Sequence, residues 1–373
     1  MFATIPDPQL IDTTEKLKEL VARLENEPRL AVDTEANSLH AYHERVCLLQ
    51  FSTPDEDYLV DPLSIDDMTW LGPLFSDAAI EVVFHAAEYD LIGLQRDFAF
   101  TFANIFDTMV AARTLGYKAV GLASLLNAKF EIEVDKHHQK ADWGQRPLTP
   151  SMISYAGIDT HYLLQLRDLL AAELEEKGLM PLAQEDFKRA CFVAAAQPGP
   201  QKAAWERVDG RKDLDARQQT ILHELCQARE SLASKMDRPV FKVVDDKVLL
   251  QLAQTELEKS EQLLEAGLSE RQYHRFGKAL WDAHNRGRRA PLVTPTTMER
   301  MPESQVKRLQ KLKQWRKDKA KELEVESDVV LPKVHMNNIA QVRGINAEKL
   351  ASLMADSPYR LARWGEEILT ALR

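Results

Sequence analysis

Two acidic residues stand at the end of a short apolar run in the segment LAVDTEA, at Asp33 and Glu35. If that run is a β-strand, the two side chains project from the same face, because side chains alternate along a strand. Carboxylates held this close repel each other unless a cation lies between them. A solvated turn would explain one such pair equally well, so the pattern predicts a metal site only if further carboxylates join it.

Two later segments supply further carboxylates. In EVVFHAAEYD, an apolar strand at residues 82–84 runs into a helix whose first two turns carry Glu88 and Asp90. An acidic residue near a helix N-terminus is also a favourable dipole contact, which is the alternative interpretation. In LTPSMISYAGID, a helix that begins at the Thr-Pro step places Tyr155 and Asp159 four residues apart, hence on one face. A Tyr and an Asp on the inward side of a helix require a hydrogen-bonding or ionic partner there.

Length and composition narrow the class of protein. The chain has 373 residues, of which 45% are hydrophobic, so two or three globular domains are expected. No run approaches the roughly 20 apolar residues of a membrane span, and the N-terminus lacks a basic region followed by an apolar stretch. The three cysteines are far apart and form no CxxC pair, which predicts neither disulfides nor zinc. A soluble protein of the reducing cytoplasm is the expectation.

Charge is distributed unevenly along the chain. The net charge is −10, but residues 201–373 hold 32 basic and 26 acidic residues, a balance of +6, and residues 1–200 have a balance of −16. An acidic half joined to a mildly basic half is consistent with a carboxylate-rich metal site beside a part that holds a polyanion. A solvated acidic surface is the default explanation of the first half.

Two stretches rich in Pro, Gly and small residues predict boundaries, at Ala194–Ala204 and Asn285–Thr297. Before the first boundary, short β-like runs precede helical patterns. Strands this close in sequence are expected to be antiparallel neighbours, so this part is predicted to be α/β with a mixed sheet.

The rest of the chain shows helical periodicity that repeats itself. A shift of 87 positions aligns identical residues without a gap, and near the C-terminus RFGKAL and RWGEEI match at a shift of 88. The aligned pairs are Leu222 and Leu309, Leu225 and Leu312, Gln227 and Gln314, Arg229 and Arg316, Ala233 and Ala320, Val243 and Val330, and Ala253 and Ala340. The coincidence of Arg, Gln and Gly predicts a duplicated helical domain rather than a shared amphipathic pattern.

Together these segments resemble a known family. DTE, HAAEYD and YAGID match, in order, the three motifs of the DEDD exonucleases of the Tyr-containing branch. The phrase DWGQRPLT is similar to that of the ribonuclease D group, and the helical repeats resemble HRDC domains. The resemblance implies an α/β ribonuclease H-like exonuclease domain with a mixed β-sheet at residues 1–194. Two all-α HRDC domains would follow at residues 205–290 and, in divergent form, 298–373. Gly157 departs from the Ala that the family more often has.

The resemblance also implies a reaction. Asp33, Glu35, Asp90 and Asp159 would hold two divalent cations, Mg²⁺ or Mn²⁺, which oxygen ligands favour over zinc. In family terms, Asp33, Glu35 and Asp159 would hold the ion that activates water. Asp33 with Asp90 would hold the second ion on the leaving-group side. Tyr155 would orient or deprotonate the water; as a base it would need help from the metals, because a free Tyr has a pKa near 10.

The implied function is 3′→5′ exoribonuclease activity that trims tRNA precursors and other small structured RNAs and releases nucleoside 5′-monophosphates. RNA is the expected partner, with no membrane and no obligate protein partner. The alternatives are a DNA exonuclease on the same domain and a non-catalytic RNA-binding adaptor. The four intact carboxylates argue against the adaptor, because a chain that no longer bound metal would have no reason to keep mutually repelling groups together.

Contacts with the substrate are expected from His85 and Trp143. For His85, helix capping or packing is the alternative. The basic run Lys307–Lys321, which contains Trp315, predicts either a solvated helix face or an auxiliary contact with the RNA backbone.

Overall fold

The structure is a computed structural model that describes residues 6–135, 137–192, 202–296 and 300–373. It divides into two compact units. The first comprises residues 1–36, 46–196 and 300–373, and the second comprises residues 37–45 and 197–299. The second helical repeat therefore shares a unit with the exonuclease part, whereas the first repeat forms a unit with a short loop from the N-terminal region.

The strands all belong to the first unit and form one sheet. They are β1 (Gln9–Ile11), β2 (Arg29–Ala36), β3 (Val46–Ser52), β4 (Asp57–Val60), β5 (Glu81–Phe84) and β6 (Ile105–Asp107). The helices before the first boundary are α1 (Thr14–Leu24), α2 (Gly72–Ser76), α3 (Glu88–Phe98), α4 (Thr108–Thr114), α5 (Leu122–Phe130), α6 (Pro150–His161), α7 (Leu163–Glu176) and α8 (Met180–Ala190).

Both repeats consist of five helices among the described residues. In the second unit these are α9 (Ala216–Met236), α10 (Val240–Val243), α11 (Asp246–Gln254), α12 (Gln262–Glu265) and α13 (Glu270–Arg289). In the first unit they are α14 (Glu303–Glu322), α15 (Ser327–Val330), α16 (Lys333–Gln341), α17 (Ala347–Leu353) and α18 (Pro358–Leu372). No helix in the described ranges is both long and apolar enough to cross a membrane.

The sheet is mixed, as predicted, with the strand order β1-β4-β3-β2-β5-β6. Strand β3 is antiparallel to β2 and to β4. The expectation that successive strands are antiparallel neighbours is wrong for β5, which lies parallel to β2. The segment between β4 and β5, which contains α2, carries the chain back across the sheet, and this length permits a parallel pairing. Strands β1 and β6 were not predicted.

Apolar residues cover both faces of the sheet and so decide which way Asp33 points. Leu30 and Val32 pack with α1 and α3 in one core, whereas Ala31 packs with α4 and α7 in another. Because side chains alternate along β2, Asp33 and Glu35 share the face of Ala31. Helix α6 packs on β2, β3 and β4 at that same end of the sheet.

The duplication of the helical domain is confirmed by a shared hydrogen bond. In the first repeat, Nη1 of Arg229 donates to the carbonyl oxygen of Val244 over 2.9 Å. In the second repeat, Nη1 of Arg316 donates to the carbonyl oxygen of Leu331 over 2.9 Å. Both pairs are related by the shift of 87 positions. The corresponding arginine, buried in the first repeat and half-buried in the second, thus ties the long first helix to the turn after the short second helix.

One predicted boundary is corrected by the structure. Residues 285–289 are the last turn of α13, so the second linker begins at Ala290 rather than at Asn285. The Arg-rich end of a helix was mistaken for a loop because Gly287 lies within it. That glycine is buried, and a Cβ there would lie 2.5 Å from the Cα of Ile221. It is therefore a close-packing position in the contact between α13 and α9. Most of the other boundary, Ala194–Ala204, lies outside the described residues.

The second repeat is fixed to the exonuclease part through α8. Arg360, which is 0% exposed, donates to Glu185 over 2.8 Å and to Asp186 over 2.7 Å. The backbone amides of Tyr359 and Arg360 also donate to Glu185. Leu182 of α8 belongs to the apolar core of the second repeat. We call Glu185, Asp186 and Arg360 the α8 anchor.

The loop at residues 37–45 joins β2 to β3 and is held by the first repeat. The hydroxyl of Tyr42 donates to Glu230 over 2.9 Å. The carboxylate of Asp237 accepts from the backbone amides of Tyr42 and His43 at 3.0 and 2.9 Å. The loop leaves β2 directly after Ala36, one residue beyond Glu35.

Candidate active site

A cavity of about 340 Å³ opens where β2 ends. Three of the predicted carboxylates and the predicted tyrosine line it, namely Asp33, Glu35, Asp159 and Tyr155. Asp90 is 7% exposed, and it accepts a hydrogen bond from the hydroxyl of Thr34, which also lines the cavity. The structure therefore brings together the residues that the sequence predicted for the metal site.

Strand β2 places the first two carboxylates. Asp33 lies opposite Gln50 of β3, and Glu35 lies opposite Leu48. The pairing register shifts between Glu35 and Ala36, which is a β-bulge or a similar irregularity. Such a bulge bends its strand and redirects the side chains beside it. Glu35 thus occupies the last regular position of the strand, at the mouth of the cavity.

Asp107 stabilises the turn between β5 and α3 that positions Asp90. Its carboxylate accepts from the backbone amides of Ala86 and Ala87 at 3.1 and 2.9 Å, between β5 and α3. Ala86 has a φ of 65°, a left-handed conformation that costs free energy for a residue with a Cβ. The buried carboxylate of Asp107 compensates that cost with these hydrogen bonds and also caps α4. Asp90 consequently enters the site from the first turn of a well-anchored helix.

Helix α6 carries Asp159 and Tyr155 as predicted. It begins after Thr149, whose side chain accepts from the amide of Met152, with Pro150 in the first turn. Threonine at the cap and proline at the first helical position are both favourable, because neither leaves an unsatisfied backbone donor. Tyr155 and Asp159 lie one turn apart and face the sheet.

The site carries acidic groups that are hard to ionise together. Burial is the largest cause of a strongly raised pKa for Asp33, and the negative charges of Asp90, Asp159 and Glu35 raise it further. Burial, then Asp159 and Asp90, raises the pKa of Glu35 to about 9. Burial raises the pKa values of both Asp90 and Asp159 to about 7. Because no positive charge offsets these acids, the cluster retains protons that separate exposed carboxyl groups would release.

This donor set fits divalent metal ions of the Mg²⁺ or Mn²⁺ type. The groups are all carboxylates, and hard cations prefer oxygen ligands. No fixed Lys or Arg lines the cavity among the described residues. As the side chains lie, no three Asp, Glu, His or Cys groups of the described ranges are close enough to hold one ion. The site is therefore a set of mutually repelling carboxylates and not a preformed cage.

Tyr155 is held between two other rings. Its ring centroid lies 6.0 Å from that of Trp143 and 5.8 Å from that of His138. Burial and the charges of Asp159, Glu35 and Asp33 raise the pKa of Tyr155 well above its usual range. The phenol therefore stays protonated at neutral pH in the protein without metal. Packing fixes the ring, and the hydroxyl is available as a hydrogen-bond donor.

His85 lines the cavity in a defined tautomer. The hydroxyl of Thr108 donates to the carbonyl oxygen of Phe84 over 3.1 Å, so its oxygen is free to accept from Nδ1 of His85 at 2.9 Å. Burial lowers the pKa of His85. The ring is thus neutral at pH 7, with the proton on Nδ1 and a lone pair on Nε2.

The structure does not support the predicted contact of Trp143 with substrate. Trp143 is 1% exposed and packs with Leu48, Leu59 and Met152 beneath α6. The ring turns inward and fills the core beside Tyr155. Trp143 therefore acts on the site only through the position of Tyr155.

Other residues of the site were missed by sequence reasoning. Gln50 is 0% exposed opposite Asp33, and neither atom of its amide has a hydrogen-bond partner among the described residues. A glutamine inside the apolar run VCLLQFS was the available signal. The N-terminal turn of α5 at residues 121–124 and Gln139 also line the cavity. Glu88, the neighbour of Asp90 considered above, lines a different cleft.

Comparison with protein families assigns the same two parts. A family model described as 3′-5′ exonuclease matches residues 8–175. A model described as HRDC domain matches residues 218–283 and again residues 305–372. The fold and the site thus define a 3′-5′ exonuclease domain joined to a pair of HRDC domains.

Individual relatives identify the family more closely. Ribonuclease D of Desulfotalea psychrophila is 30% identical over 276 residues, which cover 74% of this chain and 74% of that protein. The Exosome complex component 10 homolog of Caenorhabditis elegans is 35% identical over 261 residues, 68% of this chain and 30% of that protein. The crystal structure of Escherichia coli RNase D shares the fold, with a TM-score of 0.70 at 24% identity over 94% of this chain and 100% of that one.

The chain belongs to the ribonuclease D family. It spans less than two thirds of the length of several curated relatives that it matches, including the Caenorhabditis elegans protein.

Proposed function

We propose that the protein is a 3′→5′ exoribonuclease that hydrolyses phosphodiester bonds with two divalent metal ions. The observation that carries the proposal is the convergence of three carboxylates and Tyr155 on one cavity of an exonuclease fold, with Asp90 bonded to Thr34 of the cavity wall. Their raised pKa values mark a cluster that lacks compensating charge, which a structural role would not leave in place.

The carboxylates divide into two overlapping sets. Asp33, Glu35 and Asp159 would hold one Mg²⁺ or Mn²⁺ ion, and Asp33 with Asp90 would hold the other. When bound, the two ions supply a water-derived nucleophile at neutral pH and offset the charge that develops on the departing 3′ oxygen. The hydroxyl of Thr34 fixes the orientation of Asp90 by donating to its carboxylate.

Tyr155 orients the attacking water. In the protein without metal the raised pKa keeps the phenol protonated, and its oxygen can accept a hydrogen bond from the attacking water. The rings of Trp143 and His138 hold the phenol in one direction. A positioned hydroxyl of this kind aligns the water for in-line attack without accepting its proton.

His85 contacts the 3′-terminal ribose. Its Nε2 lone pair is an acceptor at the cavity wall, since Nδ1 is committed to Thr108. A ribose hydroxyl of the terminal nucleotide is a donor of the matching kind. This contact favours RNA over DNA if the 2′-hydroxyl is the donor.

The natural substrates are tRNA precursors and other small structured RNAs in the cytoplasm. The more basic C-terminal half suits a polyanionic substrate that is larger than the cavity can hold. The three cysteines are free, which suits a reducing compartment.

One assay tests this function. A labelled tRNA precursor and a single-stranded DNA of equal length are each incubated with Mg²⁺ or Mn²⁺, beside an Asp159→Asn variant. We expect release of nucleoside 5′-monophosphates from the 3′ end of the RNA by the wild-type protein alone, and none in excess chelator. Faster degradation of the DNA would overturn the assignment to RNA, and equal turnover by the variant would overturn the metal site.

A further inference from the structure

A buried glutamine of β3 lies beside the candidate metal site without a hydrogen-bond partner. Gln50 is 0% exposed, and neither the nitrogen nor the oxygen of its amide has a partner among the described residues. Burying an amide without a hydrogen bond costs free energy, so buried amides are normally satisfied. Leu48, two residues earlier on the same face, is apolar, as is Leu59 opposite Gln50 on β4. Packing alone would therefore favour an apolar side chain at position 50.

The register of the sheet places Gln50 in one row with Asp33. Asp33 lies opposite Gln50 across β2 and β3, and Leu59 lies opposite Gln50 across β3 and β4. Directly opposite residues of an antiparallel pair project from the same face, with their Cβ atoms about 4.5–5.5 Å apart. The carboxylate of Asp33 is therefore within reach of the Gln50 amide, whereas Leu59 on the other side offers no acceptor.

The next polar side chain on this face of β3 is fully satisfied. Ser52 is also 0% exposed, and its hydroxyl donates to Asp57 over 2.5 Å and lies 2.7 Å from the hydroxyl of Thr160. Thr160 follows Asp159 in α6, so this helix covers the same face of the strand. Of these two buried polar side chains of β3, Gln50 is the one left without a partner, and it is the one beside Asp33.

Gln50 is placed to act on Asp33 and not on the substrate. It is absent from the residues that line the cavity, so its amide contacts neither RNA nor the attacking water. A glutamine amide has two N–H donors, and a carboxylate has about four lone-pair positions. A carboxylate that binds two metal ions can therefore still accept a hydrogen bond. Donors of this kind fix the orientation of metal ligands.

We infer that Gln50 is a positioning residue of the metal site, and that its amide nitrogen donates a hydrogen bond to the carboxylate of Asp33 when the ions are bound. This bond fixes the orientation of the carboxylate that both proposed ion positions share. The amide is neutral, so it holds Asp33 without adding a positive charge that would repel the ions, as Lys or Arg would. The inference rests on the proposed metal site.

Gln50→Met tests the inference, with Leu59→Met as its matched control. Methionine is similar in size to both residues and has no N–H donor, and the two positions share one face of the sheet on neighbouring strands. The affinity for Mn²⁺ is measured without RNA, from the EPR signal of the free ion. We expect Gln50→Met to bind Mn²⁺ about 10–100-fold more weakly, the usual effect of losing a group that orients a metal ligand. Leu59→Met should keep the wild-type affinity.

Two further measurements separate positioning from packing. In chelator, Gln50→Met should unfold at the same urea concentration as the wild type or at a higher one, because an apolar group replaces a buried amide without a partner. With a short RNA, the Mn²⁺ concentration that gives half-maximal turnover should rise by the same factor as the dissociation constant, while KM for RNA at saturating Mn²⁺ stays unchanged.

Two results would overturn the inference. Wild-type affinity for Mn²⁺ in Gln50→Met would show that the amide does not act on the metal ligands. Unfolding of Gln50→Met at a lower urea concentration than the wild type in chelator would show that Gln50 stabilises the fold instead.

Asp33→Asn separates this inference from the proposed function. If the wild type binds Mn²⁺ no more tightly than Asp33→Asn does, the proposed metal site fails whatever the role of Gln50. If the wild type binds Mn²⁺ more tightly than Asp33→Asn, and Gln50→Met binds it like the wild type, only the role of Gln50 fails.

Discussion

Two clusters of acidic residues in the first unit differ in whether positively charged side chains offset them. At the α8 anchor, Glu185 and Asp186 are satisfied by Arg360, by Arg189 and by backbone amides. At the candidate active site, no cationic side chain of the described residues offsets Asp33, Glu35, Asp90 and Asp159, and their pKa values are raised.

The difference separates structural from functional carboxylates. A structural acid is packed with a permanent cation, because an unpaired buried charge is costly. A functional acid that must bind a metal ion has no permanent cation beside it. The neighbouring acids therefore repel each other until the ion binds. Four predictions test this contrast, from the largest expected effect to the smallest.

The largest effect is expected for Asp33→Asn. An amide is nearly the same size as the carboxylate but cannot supply the charge that both ion positions share, so turnover should fall to background. Release of nucleoside 5′-monophosphate from RNA with Mg²⁺ and with Mn²⁺ measures it. The melting temperature without metal should not fall, because like-charge repulsion decreases. Wild-type turnover in this variant would contradict the metal assignment.

Tyr155→Phe should reduce turnover by about 10² to 10³ at saturating RNA, the usual cost of losing one preorganised hydrogen bond that positions a reacting group. Only the hydroxyl is lost, so packing against Trp143 and metal-dependent stabilisation should be unchanged. A loss of less than about threefold, well below that range, would make Tyr155 a packing residue.

Arg360→Met should destabilise the fold by roughly 3–5 kcal/mol, because it leaves Glu185 buried without its cation. Urea unfolding measures the free energy change. Adding Glu185→Leu should recover most of the loss, since apolar replacement of a whole buried pair is often neutral.

Arg113→Met is the matched control for that prediction. Its ion pair with Asp328 also joins the exonuclease part to the second repeat, but the two side chains are 33% and 44% exposed. We expect a loss of less than about 1 kcal/mol. Similar losses for both arginines would contradict the special role of the α8 anchor.

Glu35→Gln should stabilise the metal-free protein at high pH. A carboxyl whose pKa is higher in the folded than in the unfolded chain stabilises the fold at low pH, and this contribution is lost as the pH rises through the folded pKa. For Glu35 that window runs from its ordinary value of 4.5 to about 9.

The variant should therefore match the wild type near pH 4 and exceed it by about 1–2 kcal/mol at pH 8.5, since water in the cavity screens the partly exposed side chain. Urea unfolding in chelator at both pH values measures the difference. Excess Mn²⁺ should reverse the order at pH 8.5. A pH-independent difference would show that the substitution acts through packing alone.

The sequence was informative where chemistry restricts residue type. Three short motifs in order predicted Asp33, Glu35, Asp90, Tyr155 and Asp159, and the structure places them around one cavity. The mixed sheet and the duplicated helices also followed from local patterns, because strand alternation and helical periodicity are short-range properties.

Long-range packing could not be predicted in the same way. Nothing local to Trp143 says that its ring turns into the core, and nothing in Glu185 names Arg360 as its partner. The grouping of the second repeat with the exonuclease part depends on such contacts between distant residues. Strand β5 was misjudged for the same reason, since its parallel neighbour is separated from it by two other strands in the sequence.

The α8 anchor has a consequence for the order in which the chain is made. Glu185 and Arg360 lie 175 residues apart, so at about 5–20 residues per second the carboxylate leaves the ribosome roughly 9–35 s before its cation. During that interval the apolar side of α8 around Leu182 has no cover, and the exonuclease part cannot complete its packing. The apolar side of α8 thus stays exposed while the first HRDC domain is being synthesised and is covered only when α14–α18 follow.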